Sequence, residues 1–224
     1  MDVTAILSLP PAVPGRLAVV LCDGAAPPHD LLSACLAQAD LFVCTDGAGR
    51  PYDHLPRLPD LVVGDFDTLG EPPRRRDIRF EHDPDQDTTD GEKAVARAVA
   101  DGCRRVLLLG ADGGHLDHAL ANLALPERFA HACDVVLVND RGVTRRLPPA
   151  ENWSLDLPMG TTVSLAPIGG RVKGVTLLGV RWPLRGADLD WGGPSAAGNR
   201  VTAPPVRLRC DAGSLLVTVR AQAS

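Results

Sequence analysis

Along its first 140 residues the chain alternates between short, wholly apolar runs and longer stretches in which apolar positions recur every three or four residues. The runs at 17–22, 41–44, 61–63, 106–109 and 135–138 are bounded by Asp and Gly. They are too short for amphipathic helices and read as buried strands. Between them, 30–39 and 90–101 carry a helical period. The second is the clearer. Thr89 is placed to cap it with Glu92 at the third helical position, and Gly102 stops it. Ala94, Val95, Ala98 and Val99 then share its buried face. A third helix is expected over 116–125, ending ahead of Pro126. Strand–helix alternation predicts a mostly parallel sheet with helices on its faces.

Beyond Pro148-Pro149 the texture changes. Strand-like runs at 161–166, 171–177, 206–209 and 215–219 are separated by Gly and Pro pairs, and no long helical period remains. This half reads as all-β, a sandwich or a barrel. The expected organisation is an α/β domain over 1–147 followed by a β-domain over 148–224. There is no internal repeat.

Composition narrows the class. Hydrophobic residues make 45% and charged residues 23%, which excludes a disordered or fibrous chain. The formal net charge of -5 argues against a partner with a phosphate backbone, so no nucleic acid is expected. No apolar run approaches the roughly 18 residues of a membrane span, and no membrane partner is expected. Residues 1–14 lack a basic segment and do not read as a secretion signal. The six cysteines form no C-x-x-C pair and sit mostly in apolar stretches. They read as reduced structural thiols in a cytoplasmic protein, with no spacing for zinc.

The acidic residues fall where strands should open into loops. Asp23 follows the first strand, Asp46 the second, and Asp65 and Asp67 the third; Asp85, Asp87 and Asp90 lead into the capped helix, and Asp112 and Asp117 follow the fourth main strand. Open α/β sheets bind ligands outside the carboxyl ends of their strands, so several carboxylates converge on one edge. Packed like charges raise one another's pKa unless a cation enters. Oxygen donors without paired His or Cys suit Mg²⁺ or a similar hard ion. Asp65 and Asp67, two apart in extended chain, point the same way, and Gly64 permits close backbone approach.

Other motifs weigh less. Asp65-Phe66-Asp67-Thr68 differs from the D-x-D-x-T of aspartyl-phosphate phosphatases in Thr position and strand order. Gly110-Ala111-Asp112-Gly113-Gly114 is neither a Walker A loop nor G-x-G-x-x-G, but precedes a helix whose N-terminus suits phosphate. His118 reads as a hydrogen-bonded structural residue or a phosphate contact, with Asp117 the neighbour expected to face the site. Arg74-Arg75-Arg76 reads as a solvated loop or a lid over phosphates.

Taken together, these blocks resemble the thiamine pyrophosphokinase (thiamine diphosphokinase) family. Thr45-Asp46-Gly47-Ala48 is similar to the family's A-D-G-G, and Pro59 to Thr68 to its P-D-x-x-x-G-D-x-D-S. Asp85-Gln86-Asp87-Thr88-Thr89-Asp90-Gly91-Glu92-Lys93-Ala94 matches D-Q-D-x-T-D-x-x-K-A throughout. Gly110 to Asn122 follows G-x-x-G-G-R-x-D-H-x-L-x-N except that His115 replaces Arg, an imidazole in place of a guanidinium fork. Gly179 to Leu184, with Asn199 beyond, is a fifth match, with Gly198 where a Ser is usual.

The resemblance implies an α/β domain, a C-terminal β-sandwich, and a homodimer with active sites at the subunit interface. It implies transfer of pyrophosphate from ATP to the hydroxyl of thiamine, with Asp65, Asp67 and Asp90 holding Mg²⁺. Asp46, Gln86 and Asp117 would line the phosphate site as catalytic groups. Gly64, Gln86, Thr89, Gly113, Gly114 and His118 would bind the nucleotide, and Trp182 and Asn199 the thiamine. A diphosphokinase with another acceptor, such as a pterin, would share the α/β half without Trp182 and Asn199. A nucleotide- or thiamine-binding sensor would have a broken metal set.

Overall fold

The computed structural model describes residues 13–66 and 76–220. The chain divides into two compact units, Val13–Asp140 and a second that begins at Arg141. The division falls ahead of the expected 147/148. The strand Gly142–Leu147 pairs antiparallel with the last strand of the chain and so belongs with the second unit.

In the first unit the strands are β1 (Arg16–Leu21), β2 (Leu41–Thr45), β3 (Leu61–Gly64), β4 (Arg79–His82), β5 (Cys103–Leu109) and β6 (Asp134–Asn139). They form one parallel sheet in the order β4-β3-β2-β1-β5-β6. The helices are α1 (His29–Leu36), α2 (Asp90–Ala100) and α3 (Leu116–Arg128). β1, β2, β3 and β5 are almost wholly buried, which is why they read as uninterrupted apolar runs. α2 has the cap its sequence announces: Thr89 Oγ1 accepts the Glu92 N–H at 3.3 Å. Its Ala94, Val95 and Ala98 pack into the core beside Val20, Val43 and Val63.

The winding gives the unit its binding edge. From β1 the chain adds β2, β3 and β4 on one side, then returns to place β5 and β6 on the other. The switch in winding direction thus falls between β1 and β5, and a crevice lies there at the carboxyl edge of the sheet.

One expectation is corrected here, and one strand is new to the structure. α3 does not end before Pro126 but runs to Arg128. Proline at this position removes only its own N–H bond, and the Phe129 N–H closes the next turn on Leu125 O at 3.0 Å. β4 carries no apolar run; Arg79 and Glu81 place it at the sheet edge.

The second unit is antiparallel throughout: β7 (Gly142–Leu147), β8 (Asn152–Leu155), β9 (Thr162–Leu178), β10 (Leu184–Leu189), β11 (Ala196–Arg200), β12 (Val206–Arg209) and β13 (Ala212–Arg220). The runs expected as two strands are one, the 17-residue β9. Its first half pairs with β11 and β13, its second half with β10 and β12. Gly169 and Gly170 lie between the halves, where the strand passes from one sheet to the other. Among the described residues no helix is long and apolar enough to cross a membrane. All six cysteines are buried and unpaired.

Candidate active site

The crevice at the switch between β1 and β5 is built first from backbone. Leaving β1, the Cys22 N–H donates to Leu109 O at 2.9 Å, Gly24 N–H to Gly110 O at 2.9 Å and Ala25 N–H to Asp112 O at 2.6 Å. The loop after β5 is thus laced to the loop after β1. Gly110 makes this possible: its φ is +64°, and a Cβ there would collide with the Cys22 carbonyl oxygen. A cleft of about 300 Å³ opens above, lined by Asp23, Thr45, Asp46, Thr89 and Asp90, by the Gly113-Gly114 loop, and by His115, His118 and Asn122. α3 starts at its rim. No side chain caps the helix at His115, and the first-turn N–H groups carry the positive end of its dipole.

Asp46 lies at the end of β2 and is 3% exposed. Its Oδ2 accepts the Phe66 N–H at 2.9 Å. Gly64 allows this approach, since a Cβ there would stand 2.6 Å from the Asp46 carboxyl carbon. Burial pushes the Asp46 carboxyl above its usual range, and the negative charge of Asp90 adds to it. The Phe66 and Gly47 N–H groups oppose the rise, and Asp65 contributes to it weakly.

Asp90 is the first residue of α2, and its Oδ1 meets Lys93 Nζ at 3.3 Å. The Lys93 side chain is almost fully buried, so a cation stands behind this carboxylate. Asp65 accepts from Gln86 Nε2 at 2.9 Å. Gln86 is carried by a loop that folds on its own acids: Asp85 accepts the Asp87 N–H at 3.0 Å and the Thr88 hydroxyl at 2.8 Å, which hold its carboxyl below the usual range.

The structure therefore brings Asp46, Thr89, Asp90, Gly113, Gly114 and His118 to one cleft, with Gly64 against Asp46 and Gln86 on Asp65. Asp117 is placed differently from the expectation. It is exposed and does not line the cleft; its Oδ1 accepts the His118 N–H at 2.9 Å, and His118 is the neighbour that lines it. Asp67, Arg74 and Arg75 lie outside the described residues, and Arg76 is exposed. Among the described residues no group of three His, Cys, Asp or Glu is spaced to hold a metal ion. The donors present are nevertheless carboxylate oxygens whose mutual repulsion a hard cation would offset, so their chemistry fits Mg²⁺.

Asp23, expected with the other acids at this edge, lines the cleft; Lys93 and Asn122 belong to the site as well and are not among the site residues expected from sequence.

In the second unit, Asn199 on β11 is buried, 6% exposed. Its amide is engaged with the backbone of Trp182, a residue 55% exposed. The Arg181 guanidinium lies 4.8 Å from the centre of that ring. Asn199 thus holds the tryptophan in place.

A parallel α/β unit with a glycine-laced, acid-lined cleft at its switch point is the architecture of a nucleotide-handling enzyme. The family profile described as "Thiamin pyrophosphokinase, catalytic domain" matches residues 32–138, and that described as "Thiamin pyrophosphokinase, vitamin B1 binding domain" matches 147–215. Together they span most of the chain. Thiamine pyrophosphokinase 1 of Oryza sativa subsp. japonica is 28% identical over 208 residues, covering 78% of this chain and 76% of that one. Thiamin pyrophosphokinase 1 of Caenorhabditis elegans is 25% identical over 194 residues, with 81% and 79% covered. Among solved structures, yeast thiamin pyrophosphokinase superposes with a TM-score of 0.77 at 17% identity, covering 98% of this chain and 89% of that one. Thiamine pyrophosphokinase from Bacillus subtilis gives 0.75 at 19% identity, with 92% and 100% covered. The chain belongs to the thiamine pyrophosphokinase family, diphosphotransferases that use ATP.

Proposed function

We propose that this chain transfers the pyrophosphoryl group of ATP to the hydroxyl of thiamine, giving thiamine diphosphate and AMP. The observation that carries the reading is the cleft at the β1/β5 switch, where Asp46 and Asp90 face a glycine loop and a helix N-terminus. Phosphates are received there by backbone N–H groups of the 110–114 loop and the first turn of α3, with His118 beside them. Asp65, Asp67 and Asp90 would hold Mg²⁺, whose positive charge would offset the phosphates and the carboxylates together. Lys93 holds Asp90 in place through its Oδ1, and Gln86 does the same for Asp65 by donating to its Oδ2.

In the transfer step the thiamine hydroxyl oxygen bonds to the β-phosphorus, the bond from that phosphorus to the α-phosphate oxygen breaks, and AMP leaves. Asp46 accepts the hydroxyl proton on Oδ1, its Oδ2 being engaged by Phe66. Its raised pKa makes it a better acceptor than an ordinary carboxylate. Asp117 helps by orienting the first turn of α3 through the His118 N–H.

The second unit, which we read as a β-sandwich, supplies Trp182 to stack on thiamine, with Asn199 fixing that tryptophan. We place the active enzyme as a homodimer with sites at the subunit interface, in the cytoplasm, where six buried free thiols are at home. The decisive experiment is AMP release from ATP with Mg²⁺, with and without thiamine. Thiamine-dependent release and a thiamine diphosphate product are expected; release that ignores thiamine, or requires a pterin, would overturn the reading.

A further inference from the structure

Asn122 sits in the middle of α3, 8% exposed, where a helix facing a sheet would ordinarily carry an apolar residue. Its Nδ2 donates to the carbonyl of Ala111, in the loop after β5, at 3.0 Å. Its Oδ1 lies against Gly91, the second residue of α2, so closely that a methyl on Gly91 would stand 2.5 Å from it. One amide therefore touches the glycine loop and the first turn of α2 at once, from a third element. Asp90 is the residue next to Gly91.

We propose that Asn122 is a positioning residue: it sets the distance between the glycine loop that receives the phosphates and the turn of α2 that carries Asp90. The inference rests on the reaction proposed above. The contact with Ala111 needs the amide. A leucine would lose the donor to Ala111, and an aspartate would set a carboxylate against the Ala111 carbonyl, near Asp90 and Asp46. Gly91 is the reciprocal half of the fit, since only a residue without Cβ leaves room for the Asn122 oxygen.

The test combines Asn122→Ala, Gly91→Ala and the double variant, with Asn122→Ser as the milder replacement should the alanine variant fail to fold. In the metal-free protein, exchange of the Gly24 and Ala25 amides, whose acceptors lie on the glycine loop, should quicken about tenfold in Asn122→Ala. The Gly102 amide at the far end of α2, bonded to Val99, should not change. Gly91→Ala should lower the melting temperature, and adding Asn122→Ala should recover part of that loss, because the methyl then occupies vacated space. In the loaded enzyme, kcat/KM for ATP should fall about tenfold or more while KM for thiamine stays within about twofold. A folded Asn122 variant with unchanged ATP kinetics, or a double variant less stable than either single one, would overturn the assignment. If the unaltered protein releases no AMP, the reaction is misread. The exchange and melting measurements still decide the placement, because they need neither metal nor turnover.

Discussion

Asn199 grips Trp182 by its backbone: Nδ2 donates to the Trp182 carbonyl at 2.7 Å, and Oδ1 accepts the Trp182 N–H at 3.1 Å as well as the Arg200 N–H at 3.0 Å. Two backbone groups of one residue are satisfied by one side chain from β11. The ring beyond them stays exposed, with a guanidinium over it. An exposed, backbone-clamped indole offers a fixed face, which is what the proposed stacking on thiamine requires.

Replacing Trp182 by Ala should remove a stacking or cation–π contact of roughly 0.5–2 kcal/mol. The KM for thiamine should rise severalfold to about thirtyfold, with KM for ATP unchanged. Asn199→Ala should raise it in the same direction. It should also cost about 1–3 kcal/mol of stability, since the Trp182 N–H and carbonyl lose their partner. Steady-state kinetics with both substrates, alongside urea unfolding, measure the two effects. Unchanged thiamine kinetics in a folded Trp182→Ala protein would place the acceptor elsewhere.

Asp46→Asn separates charge from structure in the first unit. An asparagine keeps an oxygen for the Phe66 N–H but cannot take a proton, and it removes a charge that Asp90 and Asp65 oppose. The variant should melt no lower than the parent, and turnover should fall by about 10²–10⁴. A large loss of stability, or turnover within tenfold of the parent, would contradict the role given to Asp46.

The parts of this architecture that sequence made legible are those where one physical demand dominates. β1, β2, β3 and β5 are covered on both faces, so apolar runs betray them; the Asp residues at their carboxyl ends stand out because Asp is costly beside a core. β4 is hidden because Arg79 and Glu81 make it look solvated, although both are engaged: Arg79 with Asp101, and Glu81 with Arg97 of α2. β9 is split in the reading by Gly169-Gly170, which in the structure mark a change of sheet, not an end. Lys93 and Asn122 look like the polar face of a helix. Only the packing reveals that both point inward, one to Asp90 and one to Ala111.

Gly198 illustrates a local conflict of the same kind. Its position in the sequence invites a serine, and nothing stands within 4 Å of where a Cβ would lie. Yet its φ is +75°, and its N–H already donates to the Ser164 hydroxyl at 2.9 Å. Gly198→Ser should therefore cost about 1–2 kcal/mol of stability, the usual penalty for a side chain in the left-handed region. Any gain in thiamine affinity should stay below about tenfold, the worth of one hydrogen bond. Thermal unfolding and the thiamine KM report the two terms separately; a variant that melts higher would show that the turn relaxes.

The buried thiols should help to set the alkaline limit of the fold. Burial pushes the Cys22 and Cys133 thiols up to about 12 and Cys35 to about 11; around Cys22 the charges of Asp90 and Asp23 add to the effect. Cys44 is raised further by burial, with Cys22 contributing. In the unfolded chain each titrates near its ordinary value of about 8.5. Below that value both states hold the proton and the thiols add no pH dependence. Above it the unfolded chain loses protons that the folded one keeps, so stability falls as pH rises, until the folded thiols ionise in turn at about 11–12. Each thiol contributes a slope of up to about 1.4 kcal/mol per pH unit in that window. Urea unfolding in the presence of a reductant should therefore show a steep loss of stability between about pH 9 and 11. The slope should be shallower in a variant with Cys22, Cys35 and Cys133 replaced by Ala, which separates thiols from the other groups titrating there. At pH 8 the native protein should resist a thiol reagent and release its full thiol titre only when unfolded. Rapid modification of the folded protein at pH 8, or equal alkaline slopes for the two proteins, would show that these cysteines reach solvent.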